Sequence, residues 1–229
     1  MTTETRNSAL PLQIWLSPAF PVGSFAYSHG LEWAVEEGDV RDAATLAGWI
    51  GGLVAHGAPR NDAILLAQAW RAAATRDVAG VGEVNELALA LSGSSERLLE
   101  TATQGTAFLT AIASAWPAPH LDACMKAAGA QTAYPVAVGI AAALHGISLE
   151  PTLEAYLVAW VGAIVSAAVR LGVIGQTDGQ RTVADLVGDL RLRAVEAATA
   201  TLDDLGTAAF RSDIAAMRHE TQYSRLFRS

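Results

Sequence analysis

The residues able to do chemistry are few and scattered. Five histidines stand at positions 29, 56, 120, 145 and 219, and there is a single cysteine, Cys124. His29 and Glu32 are three residues apart, one helical turn, so a helix carrying both would let an imidazole and a carboxylate share a metal ion. The same spacing also suits a solvated or partner-facing helix surface. "HETQY", residues 219–223, begins as His-Glu but lacks the second histidine of the HExxH zinc pattern. A lone cysteine leaves no intramolecular disulfide and no CxxC site, which fits a reducing compartment. Cys124 beside Met125 reads as a small buried hydrophobe.

The larger catalytic motifs are missing. No GxxxxGK[ST] is present, and "GQTDGQR", residues 175–181, has glycines without the Lys-Ser/Thr that a phosphate loop needs. No GxSxG elbow occurs. No acid–base pair or nucleophile constellation stands out, so the residues point to a binding protein and not to an enzyme. The net charge is −8, the pI is near 5.0, and the basic side chains are 14 arginines and one lysine, Lys126. This balance argues against nucleic acid, which rewards clustered positive charge. Against the acidic bulk, the chain finishes on "MRHETQYSRLFRS", residues 217–229, a basic and aromatic segment. Arg and Tyr are the types enriched at binding hot spots.

The elements that must position these residues read as helices. Apolar residues make up 52% of the 229-residue chain, enough to bury a core without disulfides or metal. Periodicity is helical almost throughout, giving an all-α single-domain bundle of about ten helices. Residues 1–8 read as a disordered leader, 9–217 as the domain and 218–229 as a C-terminal partner-docking tail. A first helix covers 9–16, and Pro18, Pro21 and Gly23 then forbid continuation. A second helix is expected from Phe25 to Glu37. Further helices are expected from the N-cap Asp42 to Gly57, over 62–76 and 84–92, from Ser94 or Ser95 to Trp116, over Pro135–His145 and from Pro151 to Leu171. "GVIGQTDGQR", residues 172–181, reads as a loop or broken helix, followed by helices to Leu205 and over 207–217. The run "AYLVAWVGAIVSAAV", residues 155–169, is fifteen residues, short of the roughly 20 that a membrane span needs. It reads as a buried core helix. The abundant Ala and Gly imply close helix approach.

Four blocks go further. "SPAFPVGSFAYSHGLEWAVEEGDV", residues 17–40, resembles the signature of the UreF family of urease accessory proteins. "VRLGVIGQTDGQR", residues 169–181, and the tail "RHETQYSRLFRS" are similar to further blocks of that family, and "GTAFLTAIASAW", residues 105–116, resembles another more loosely. The matches are collinear and span nearly the whole chain. Family members often carry a histidine just before the Pro-Val that matches Pro135-Val136, whereas Ala133 and Tyr134 stand here.

The resemblance implies an all-α, cytoplasmic homodimer without catalytic activity. It implies a urease maturation cochaperone that binds UreD (also called UreH) and the GTPase UreG, and couples GTP-dependent nickel delivery to insertion into the urease apoprotein. No cofactor is then stably bound, nickel only transits the complex, and neither nucleic acid nor membrane is a partner. Candidate contact residues are Phe25, Tyr27, His29 and Glu32 in the first block, with core packing of Phe25 and Tyr27 as the alternative. Arg170, the first charge after the apolar run, is expected to neighbour the loop bearing Gln176, Gln180 and Arg181. The tail offers Arg218, His219, Glu220, Tyr223, Arg225, Phe227 and Arg228, and is expected to order by docking on UreD, with packing back on its own body as the alternative. A different reading is a nickel-binding metallochaperone in its own right, using His29, Glu32, His219 and Glu220.

Overall fold

The computed structural model describes residues 9–229; the leader expected at 1–8 lies outside the described residues. The described chain is all-α. Its helices are α1 (Leu10–Trp15), α2 (Leu31–Glu36), α3 (Ala43–His56), α4 (Ala58–Thr75), α5 (Val78–Ala90), α6 (Ser95–Ala115), α7 (Leu121–Ala128), α8 (Tyr134–Leu144), α9 (Leu149–Arg170), α10 (Gln176–Thr199) and α11 (Phe210–His219). Short 3-10 turns lie at Ser24–Ala26 and Leu202–Asp204.

Local chemistry sets most of these boundaries. Asp42 and Thr45 form a reciprocal capping box at α3, and the Ser94 hydroxyl accepts from the Arg97 N–H at 3.2 Å to start α6. Pro59 and Pro135 sit in the first turns of α4 and α8, where a missing N–H costs nothing. Helix α10 ends earlier than expected, at Thr199. Arg71 donates to the carbonyls of Ala198 and Ala200, and Gln68 also donates to Ala200, so side chains of α4 satisfy the free carbonyls of that end.

Helix α8 is the centre of the bundle; every residue from Pro135 to Ala142 is buried. It packs on α4 and α6 through two glycines whose absent side chains permit contact. A Cβ at Gly139 would stand 2.5 Å from the Leu66 carbonyl oxygen, and one at Gly105 only 2.0 Å from that of Thr132. The composition's promise of close helix approach is realised at these crossings. An aromatic cluster fills the space beside them, with Trp15 edge-on to Phe108, Trp116 and His145.

Helix α9 is the one described helix long and apolar enough to cross a membrane by length and composition alone, with 56% of its most apolar window buried. It lies against α10 and α4 as a core helix, as the sequence suggested.

Helices α4 and α5 also start earlier than expected, at Ala58 and Val78, and two further boundaries differ. The second helix does not start at Phe25: a 3-10 turn, then Tyr27 and Ser28, precede α2, and His29 and Gly30 both have positive φ (56° and 75°). Gly30 is needed there, because α11 crosses so closely that a Cβ would meet the Ala216 nitrogen at 2.8 Å. The stretch 172–181 is not mainly loop: α10 begins at Gln176. Asp178 lies in its first turn, where a carboxylate suits the helix N-terminus. Gly179 is buried against Val165, serving as a helix–helix spacer and not as a break.

Candidate functional site

The tail does not hang free. From α11 it turns and lies across α2, α6 and the end of α9. His219 is fully buried, with Nε2 at 3.1 Å from Glu32 and Nδ1 at 2.7 Å from Glu96. Arg225 pairs with the other oxygen of Glu96 at 2.6 Å. Glu32 also accepts the backbone N–H groups of Leu226 (2.6 Å) and Phe227 (2.9 Å). Phe227 is buried, and the Arg170 guanidinium stacks over its ring at 4.3 Å.

The expectation of a tail that orders only on a partner is therefore corrected: its own body supplies the partners. The physical reason is its periodicity. Phe227 and Ser229 are buried while Leu226 and Arg228 are exposed, an alternation of period two that an extended segment uses. Arg170, expected beside the 176–181 segment, stacks on Phe227 of the tail.

Inside this frame lies a buried charge network of which sequence reasoning singled out only His29. His29 Nε2 is 3.0 Å from Glu100, and Arg97 reaches both Glu100 (2.5 Å) and His29 Nδ1. Burial, reinforced by Arg97, lowers the His29 pKa. A neutral ring fits the bonds: Nδ1 accepts from Arg97 while Nε2–H donates to Glu100. For Glu100 burial alone would raise the pKa, but Arg97 and His29 outweigh it and hold it at about 2. Asp62 lacks so close a cation; burial pushes it up to about 6, and Tyr156 O–H donates to it at 3.2 Å. These groups wall a cavity of ≈60 Å³ that shares His29, Asp62, Arg97, Thr101 and Trp160 with a second of ≈160 Å³.

His29 and Glu32 do not share a helix face. The left-handed turn at His29 sends its ring toward α6, whereas Glu32 faces α11 and the tail. Glu220 lies elsewhere again, accepting from the Ser95 N–H and hydroxyl at 2.8 Å. Among the described residues, no group of three or more His, Cys, Asp or Glu is placed to hold a metal ion. Of the four residues named for direct metal binding, Glu32 and His219 meet each other, while His29 and Glu220 are engaged elsewhere.

The remaining candidates divide by exposure. Tyr27 is buried and packs as core, while Phe25 is 69% exposed. Gln176, Gln180 and Arg181 are exposed on the first two turns of α10, with Arg181 paired to Asp178 at 2.9 Å. Arg218, Tyr223, Arg225 and Arg228 are exposed along α11 and the tail, next to the exposed apolar residues Phe210, Ile214, Met217 and Leu226. Sequence reasoning missed Asp62, Glu96, Arg97 and Glu100. The one signal was the charge pattern of "SSERLLE", which in sequence looks like an ordinary solvated i,i+3 and i,i+4 surface.

The UreF family model matches residues 40–187. The urease accessory protein UreF of Xanthobacter autotrophicus is 58% identical over 222 residues, covering 97% of this chain and 91% of that one. That of Azorhizobium caulinodans is 53% identical, covering 97% and 96%, and that of Rhodopseudomonas palustris strain TIE-1 is 49% identical over the full length of both. With a family-model match over residues 40–187 and relatives about half or more identical along nearly the whole chain, the chain belongs to the UreF family of urease accessory proteins.

Proposed function

We propose that the chain is a non-enzymatic cochaperone of urease maturation. It acts as a cytoplasmic, homodimeric scaffold that binds UreD (UreH) and the GTPase UreG, and couples GTP-dependent nickel delivery to the urease apoprotein. The observation that carries this reading is the face formed by α11 and the tail. Phe210, Ile214, Met217, Tyr223 and Leu226 are each more than half exposed, and Arg218, Arg225 and Arg228 are interspersed among them. A face of large apolar and arginine side chains on a chain of net charge −8 suits a protein partner with an acidic rim and an apolar centre. The tail reaches that partner already ordered, so binding spends little on immobilising it. Gln176, Gln180 and Arg181 form a second polar contact, and Phe25 a third.

The test is co-expression of an N-terminally tagged chain with UreD, UreG and apo-urease, followed by affinity purification. The reading expects UreD and UreG to co-purify and urease activity to depend on the chain. A chain that recovers neither partner, while urease activates equally without it, refutes the reading.

A further inference from the structure

We propose that the larger of the two cavities is a socket for one basic side chain, an arginine or a lysine, of the protein that docks on the face of α11. The inference deepens the scaffold reading and rests on it for the choice of face. The cavity, of ≈160 Å³, opens beside that face. Its rim includes Leu91, Gly93, Thr207 and Met217, all exposed, and Met217 belongs to the α11 face as well. A single water needs about 10–15 Å³ of such space, so a linear side chain has room. The buried walls are apolar at Leu53, Leu65, Ala88 and Ala216, which suits the methylene stem of Lys or Arg.

The charge lies at the floor. Arg97 lines the cavity but is committed to Glu100 and His29, so a carboxylate of its own already matches it. Asp62 and Asp213 are left over. Among the described residues neither is in an ion pair; Asp62 has the Tyr156 hydroxyl, and the Asp213 carboxylate has no hydrogen-bond partner. Burial raises the pKa of both, Asp62 to about 6, and Arg97 offsets only part of the rise. The other groups around Asp62 add no cation. Tyr134, Tyr156 and the neutral ring of His29 carry no charge, and Glu100 is an anion. Trp160 completes the floor. It is 7% exposed and its Nε1 has no hydrogen-bond partner. An indole attracts a cation that reaches its face, and a water carried in with the cationic head would accept from the N–H. A metal ion and an anion fit less well. No three His, Cys, Asp or Glu converge among the described residues, and two unmatched carboxylates repel an anion. A buried acid that lowers stability at neutral pH is expected of a binding site and not of a core.

The first experiment titrates the full chain with n-butylguanidinium and with its uncharged counterpart n-butylurea, following the side-chain carbonyl carbon of residue 62 by NMR. The cation should bind about tenfold or more tightly than the urea, and the double variant Asp62→Asn with Asp213→Asn should lose that preference. Equal affinities, or no binding of the cation, overturn the proposal. The second measures the affinity of the native chain and the double variant for UreD, with helicity recorded. The variant should bind about tenfold or more weakly with its helicity intact, and equal affinity overturns the assigned occupant. A native chain that binds no UreD refutes the scaffold reading instead, and the butylguanidinium comparison still decides the socket.

Discussion

Replacing Asp62 by asparagine should stabilise the protein at neutral and alkaline pH and do nothing in acid. Asp62 faces Tyr156, Arg97 and Glu100, and burial raises its pKa from 3.8 to about 6. A carboxyl whose folded pKa is raised holds its proton more tightly in the folded state. Below the unfolded value both states are protonated, and the group contributes no difference. Between 3.8 and about 6 only the unfolded chain ionises, so stability falls as pH rises, and above that range the loss is complete. A shift of this size corresponds to about 3 kcal/mol at 1.36 kcal/mol per pK unit. The carboxamide introduced by Asp62→Asn cannot ionise and still accepts from Tyr156, but the substitution removes an anion that favours the Arg97 charge. The net gain at pH 8 is therefore about 1–3 kcal/mol, fading to nothing near pH 4. Urea denaturation of both proteins at pH 4, 6 and 8 measures it. A difference that does not vary with pH, or a variant less stable at pH 8, refutes the assignment of Asp62 as a strained buried acid.

The other perturbations are simpler. Gly105→Ala forces a Cβ to 2.0 Å from the Thr132 carbonyl and should cost about 3 kcal/mol or more, whereas Gly48→Ala, with nothing within 4 Å, should raise stability by about 0.5–1 kcal/mol; melting curves separate the two. His219→Ala leaves Glu32 and Glu96 without their shared partner and should cost about 3–5 kcal/mol, read by chemical denaturation. The double variant Gln176→Ala with Gln180→Ala touches only exposed side chains, so its stability should change by no more than about 0.5 kcal/mol while urease activation in cells falls; full activation would reduce that turn to a connector.

Local signals carried the helices well. Asp42 and Ser94 place the starts of α3 and α6, because capping acts within a few residues. The second helix was misplaced because its true start depends on Gly30 meeting α11, a contact 186 residues along the chain (Gly30 to Ala216) that no local pattern announces. The tail was misjudged for a related reason. Its burial follows an extended alternation, and the groups that receive Phe227 and Ser229 are contributed by α2, α6 and α9. Arg97 and Glu100 resemble any surface pair until Ser229 and His29 close over them. Deleting the whole tail would consequently remove Phe227 from the core, confusing partner loss with unfolding.

Substitution of the exposed tail residues avoids that ambiguity and tests the account most directly. Tyr223, Leu226 and Arg228 project outward while Phe227 and Ser229 hold the segment in place. The measurement is recovery of UreD and urease activity in cells expressing the triple variant Tyr223→Ala, Leu226→Ala, Arg228→Ala, with its melting temperature recorded alongside. Each anchor lost from a buried interface costs about 2 kcal/mol. The account predicts an unchanged melting temperature, UreD binding weakened by orders of magnitude and urease left inactive. A folded triple variant that still recovers UreD and activates urease like the native chain would contradict it.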